Sequence, residues 1–149
     1  RACHAHMHRR TRRTEIMFAE GGKAYVYRCY GIHHLFNVIT NVEGMADAIL
    51  IRALEPLEGI GVMLGRRNMV AVEKRLTSGP GVLTEALEIK TAHYGESLLG
   101  DNIWIGDTGR KIVDSDVVAS RRVGVDYAGA DAHKPWRFYI KENPWISRR

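Results

Sequence analysis

The chain has 149 residues, one domain's worth and long enough to bury a single sizeable core. An apolar share of 45% excludes disorder as the main state, and no run reaches the roughly 18 apolar residues of a helical membrane span. Lys plus Arg number 22 against 17 for Asp plus Glu, so the net charge of +5 suits a polyanionic partner and equally an ordinary soluble protein.

Residue 1 is Arg rather than Met and no signal-like segment follows, so the chain is expected to be a fragment or a processed product. Cys3 and Cys29 supply no disulfide framework and fit a reducing interior. Residues 3–13 read CHAHMHRRTRR. Cys3, His4, His6 and His8 have zinc-ligand chemistry, and alternate histidines would share one face of a strand. No second ligand cluster follows, however, and adjacent His33 and His34 would point oppositely, so no metal site is expected. Arg9, Arg10, Arg12 and Arg13 are the densest charge in the chain, either a solvated loop or sequence-blind phosphate contacts.

Glu15 to Phe18 leads through a Gly21-Gly22 turn into residues 23–40, around which the chain is organised. The first half of that run is dense in β-branched and aromatic residues. Period-two spacing puts Tyr25, Tyr27 and Cys29 on one face, and Val26, Arg28 and Tyr30 on the other. Gly31 interrupts the run before Ile32 to Thr40 resumes it, which reads as a hairpin or sharp bend with Tyr30 near the tip. A tip aromatic either folds back onto its own core or serves as a wedge between bases of a bent duplex.

A further strand is expected at Ala48 to Glu55, with Leu50, Arg52 and Leu54 on one face. Burying Arg52 there demands an ion pair or an edge position. Pro56 ends it, and Leu57 to Asn68 predicts a helix weakened by three glycines. Thr77-Ser-Gly-Pro-Gly81 opens a second helix, Val82 to Ile89, whose first amides could hold a phosphate. A short strand at Asn102 to Ile105 follows, then one around Arg121 to Val125. A closing strand, Trp136 to Lys141, has Trp136, Phe138 and Ile140 inward. The sum is one mixed α/β domain, residues 1–149, with a largely antiparallel curved sheet, a protruding hairpin and packed helices.

The strings YVYRCYGIHHLFN, AILIRALEPLEG, LTSGPG and PWRFYIKENPWIS stand in this order within residues 2–147. Together they resemble the alkyladenine (3-methyladenine) DNA glycosylase family, of methylpurine-DNA glycosylase type. The resemblance implies the same fold and hydrolysis of purine N-glycosidic bonds, without a metal or organic cofactor. The implied partner is double-stranded DNA containing damaged purines, met by a monomer in a nucleoid or a nucleus and not at a membrane.

By the same resemblance Tyr30 is the intercalating wedge and Tyr27 a stacking wall. His4 packs against the extruded base, and Asn37 rejects guanine by clashing with its exocyclic amine. Arg52 lines the site near the catalytic water and the DNA backbone, with Arg9 and Arg10 on phosphates. Val82 stands where the family usually carries Lys, which puts one backbone contact in doubt. The general-base Glu belongs to an E-x-E-A-Y-like segment expected before residue 1, so no catalytic residue is assigned within the chain; Glu55 reads as structural. Two rivals stay open: a lesion-binding module without catalysis, and an RNA-binding domain of related architecture.

Overall fold

Residues 3–147 are described by a computed structural model of the chain. Its centre is an antiparallel sheet of β1 (Ala24–Cys29), β2 (His33–Ile39) and β3 (Ala48–Leu50), in that order. Tyr25 lies opposite Asn37, Tyr27 opposite Leu35 and Cys29 opposite His33. The turn between β1 and β2 places Tyr30 at φ 51° and Gly31 at φ 73°, closed by the Ile32 N–H donating to the Cys29 carbonyl at 3.2 Å. Positive φ at both central positions matches the twist of the flanking strands. Gly adopts it without penalty, whereas a tyrosine held there costs about 1–3 kcal/mol.

The first half of strand β1 is covered on both faces, and its start along both edges. Tyr25 and Ile39 pack with Ala5, Met17 and Phe18 on one side, while Val26 and Phe36 pack with Ile89 and Leu98 on the other. Along the edge away from β2, the 95–98 backbone supplies a further row: Ala24 N–H donates to Glu96 at 2.9 Å, and Gly95 and Leu98 donate back at 2.8 Å each.

The two helices are shorter than the sequence suggests, and both end by the same device. Helix α1 (Ile60–Arg66) begins after Gly59, whose φ of 65° forbids an earlier start. Helix α2 (Pro80–Ala86) starts at its proline and stops before Ile89. Asn68 and Glu88 turn left-handed at φ 50° and 60°, and the next amides reach back: Met69 to Leu64 at 2.9 Å, Ile89 to Thr84 at 2.8 Å. That is the Schellman arrangement, here closed without glycine.

Three hydroxyls around α2 tie the distant segments together. Thr77 donates to the Leu54 carbonyl at 2.6 Å, Ser78 to Trp145 at 2.7 Å and Thr84 to His34 at 2.7 Å. They do not cap the helix. Gly81 is a glycine for a steric reason, since a Cβ there would stand 2.9 Å from the His33 ring.

Other sequence expectations need correction. The strand expected over 48–55 stops at Leu50. Ile51 still donates to Phe36 at 3.0 Å, but Leu54 gives its carbonyl to Thr77 and leaves the sheet. Asn102 to Ile105 contributes only an isolated bridge, Leu99 to Trp104. The strand expected around Arg121 lies earlier, as β4 (Val117–Ser120), paired antiparallel with β5 (Arg137–Ile140). The faces of β5 are the reverse of the expected ones. Trp136 and Phe138 are 53% and 66% exposed, while Arg137 is buried at 7%. The arginine can be buried because it finds partners: Nη1 donates to Ser120 Oγ at 3.1 Å, and the guanidinium lies 4.6 Å from the Tyr139 ring centre.

Candidate functional site

The face of β1 that carries Tyr25 and Tyr27 holds the densest group of rings in the molecule. His4 reaches it from the turn ahead of a short 3-10 segment, His6–His8, anchored by buried Ala5. Its ring meets Tyr27 edge-on at 4.5 Å and Tyr25 at 5.9 Å, while the two tyrosines lie 5.3 Å apart. His4 Nδ1 stands 2.7 Å from the Tyr25 hydroxyl. Burial, and then the charge of Arg13, lowers the His4 pKa, and burial raises that of Tyr25. A neutral imidazole beside a protonated phenol has two arrangements: Tyr25 O–H donates to Nδ1, leaving the imidazole proton on Nε2, or Nδ1–H donates to the phenol oxygen and Nε2 is an acceptor. Tyr27 is half-buried, and its pKa is pushed up to about 12 by burial and by Cys29 and Tyr25. It therefore offers a neutral ring for stacking.

Asn37 is buried opposite Tyr25, its amide nitrogen donating to the Tyr25 carbonyl at 3.0 Å and to Leu35 at 3.4 Å. These bonds fix its orientation. Leu50 pairs with Asn37, and Ile51 packs into the opposite cluster. Alternation thus carries half-buried Arg52 to the Asn37 side. Tyr30 is 91% exposed at the hairpin tip, so it does not fold back onto the core.

The arginines divide their work differently from the sequence expectation. Arg10 pairs with Glu15 at 3.2 Å and lies 4.3 Å from the Phe18 ring centre, with its side chain still 54% exposed. Arg9 is exposed, its carbonyl accepting the Thr14 hydroxyl at 3.0 Å. Arg13, to which the sequence assigned no separate role, sits 4.7 Å from the Tyr27 ring centre. Tyr25 was also passed over, although its shared parity with Tyr27 was legible. Nothing local in the sequence marks Arg13, because its contact is made by the fold.

Glu55 is exposed and takes a 3.5 Å hydrogen bond from Asn143 Nδ2. His6 and His8 do not alternate along a strand, since Met7 and His8 are both left-handed. Among the described residues no three ligating side chains gather for a metal. A cavity of about 310 Å³ lies beside His33, Glu85 and Lys90, and another of about 240 Å³ beside Arg10, Phe18 and Tyr94. Neither is lined by Tyr27 or Asn37.

A ring-lined wall beside a projecting aromatic tip is what a protein needs to hold a nucleotide turned out of a duplex. Comparison with known proteins is specific. The family model described as Methylpurine-DNA glycosylase (MPG) matches residues 1–144. A protein of Alkaliphilus oremlandii is 41% identical over 156 positions, spanning 100% of this chain and 76% of its own length. Proteins of Bacillus cytotoxicus and Carboxydothermus hydrogenoformans are 43% and 42% identical, each over 99% of this chain and 76% and 75% of their own lengths. All three are provisionally named 3-methyladenine DNA glycosylases. The chain belongs to the methylpurine-DNA glycosylase family.

Proposed function

We propose that this protein is a base-excision repair glycosylase that extrudes alkylated or otherwise damaged purines from duplex DNA and hydrolyses their N-glycosidic bonds. The observation that carries the site assignment is the single hairpin that bears both an exposed tip tyrosine and the His4–Tyr25–Tyr27 cluster. Tyr30 enters the stack and fills the gap left by the base. Tyr27 stacks the damaged purine, an interaction worth about 1–3 kcal/mol and tolerant of base identity. His4 packs against the extruded base with its Nε2 free for a hydrogen bond, and Asn37, held rigid by strand carbonyls, rejects guanine's exocyclic amine. Arg52 faces the sugar and backbone, while Arg9 and Arg10 belong to the phosphate-facing surface. One chain carries wedge and wall together, so a monomer suffices, working where the DNA is, in a nucleoid or a nucleus.

Alkylation makes the purine a better leaving group, and a carboxylate deprotonates the attacking water. We assign that carboxylate to an E-x-E-A-Y-like segment ahead of His4. The test is single-turnover release of an alkylated purine from a labelled duplex by three versions. These are residues 1–149 alone, the chain extended by such a segment, and the extended chain with Gln in place of its Glu. The first and third should release base about 10²–10⁴-fold more slowly than the second. Equal rates for the first and second would put the base elsewhere, and His4 and Glu55 would then be mutated first. Tighter binding of single-stranded RNA than of lesion duplex would favour the RNA-binding alternative.

A further inference from the structure

The turn that carries the arginines is gripped by a side chain from the segment along the sheet's edge. Tyr94 precedes the 95–98 row along the edge of β1. Its hydroxyl accepts the Ile16 N–H at 3.1 Å and stands 3.3 Å from the carbonyl oxygens of both Arg12 and Arg13, which share its proton. Its ring meets Tyr25 edge-on at 6.1 Å. One residue thus fastens the backbone of the arginine turn to the aromatic cluster, and the Arg13 guanidinium lies 4.7 Å from the Tyr27 ring centre.

We infer that Tyr94 is a positioning residue that seats Arg13 on Tyr27, and that Arg13, so held, contacts a backbone phosphate of the strand carrying the extruded nucleotide. This rests on the reading that the damaged base lodges against Tyr27. A guanidinium suits both contacts at once. Its flat face stacks on a ring while its edge still donates to a phosphate, which a lysine ammonium would not do. Arg13 is exposed, so that edge meets solvent. Arg10, three residues earlier, lies over Phe18 and pairs with Glu15 instead. The Thr11–Thr14 bonds close the turn itself, and the Tyr94 hydroxyl is what ties its 12–13 carbonyls to the aromatic cluster; without it, a long side chain with several rotatable bonds is delivered to one place less firmly.

The test compares Tyr94→Phe, Arg13→Gln and the double variant in the full chain. Two readouts are taken: the NMR titration of the His4 imidazole, and the salt dependence of binding to a duplex with one alkylated purine. His4 is faced by Tyr25, Tyr27 and Arg13, and of these Arg13 carries the charge that opposes its protonation. Removing or displacing Arg13 should therefore raise the His4 pKa in all three variants. Tyr94→Phe keeps the ring and should weaken lesion-duplex binding about three- to tenfold, the equivalent of one hydrogen bond. Arg13→Gln should lower the slope of log affinity against log salt by about one, and adding Tyr94→Phe to it should cost nothing more.

An unmoved His4 titration in Tyr94→Phe would overturn the positioning role, as would additive losses in the double variant. An unchanged salt slope in Arg13→Gln would remove the phosphate contact. If the unaltered protein bound lesion duplex no better than undamaged duplex, the base-lodging reading would fail. The His4 titrations would still decide the link between Tyr94 and Arg13.

Discussion

The hairpin of β1 and β2 and the pair of β4 and β5 are built on the same plan, antiparallel strands with alternating residues, and they end in opposite states. In β1, Ala24, Tyr25 and Val26 are 0%, 1% and 2% exposed, so consecutive residues on both faces are buried. At β5 the apolar alternates, Trp136 just ahead of the strand and Phe138 within it, face outward, and the charged residue between them is buried. Period-two spacing states which residues share a face, never which face is covered. Coverage comes from elsewhere. The hairpin has Met17 and Phe18 on one side, Ile89 and Leu98 on the other, and the 95–98 row along its edge. The second pair is a two-stranded sheet, the kind that is marginal until something packs on it.

The sharpest way to break this comparison is to remove the ring that both the core and the site share. Tyr25→Ala should destabilise the fold by about 3–5 kcal/mol in urea unfolding, as large truncations at buried positions do. It should also release His4 from its tautomer. A loss under about 1 kcal/mol would mean that the hairpin is covered far less firmly than its burial implies.

Tyr30→Ala comes next and should separate function from fold within the same hairpin. Binding to lesion duplex should weaken by about 1–3 kcal/mol, with less loss on a duplex whose base is already missing, where little stacking remains to be broken. Thermal stability should be unchanged or slightly higher, because alanine leaves the core untouched and Tyr30 is 91% exposed. Equal loss on both duplexes, or a fall in thermal midpoint, would make Tyr30 a structural residue.

Asn37→Ser is smaller and double-edged. It removes the amide that donates to the Tyr25 and Leu35 carbonyls, costing about 1 kcal/mol of stability. It should also widen the recess and shift competition between lesions towards guanine-type bases. Unchanged discrimination in a competition assay would leave Asn37 as a strand tie alone. Smallest of all, Phe138→Ser should change stability by no more than about 0.5 kcal/mol, because its ring is 66% exposed. A loss approaching that of Tyr25→Ala would show that the outer face of β5 is packed in solution.

Part of the candidate site was legible because it is local. The shared face of Tyr25 and Tyr27 and the tip position of Tyr30 follow from alternation and one glycine, while Asn37 and Arg52 lie within family-like motifs and His4 in the loop ahead of them. What escaped was long-range. Arg13 reaches Tyr27 across fourteen positions, and Tyr94 holds the arginine turn from about eighty residues away. Helix ends were misjudged for a related reason. Asn68 and Glu88 terminate their helices in a left-handed conformation that glycine usually marks and asparagine sometimes does, so at Glu88 no residue type announced the stop.

By itself, then, the amino-acid order determined the mixed α/β class, the central hairpin, its tip position and the family to which the chain belongs. Each of these rests on neighbours in sequence, whose geometry the backbone period sets. Only the tertiary structure decided which face of β5 is dry, which arginine leans on the recognition wall, and what the hydroxyls of the LTSGPG stretch do. Those outcomes depend on which surfaces meet. Thr77 and Ser78 look like helix-start residues until the carbonyls of Leu54 and Trp145 are brought within 2.7 Å of them. A polar group buried by that approach takes whichever partner the fold delivers, because leaving it without one costs more than forgoing a local cap.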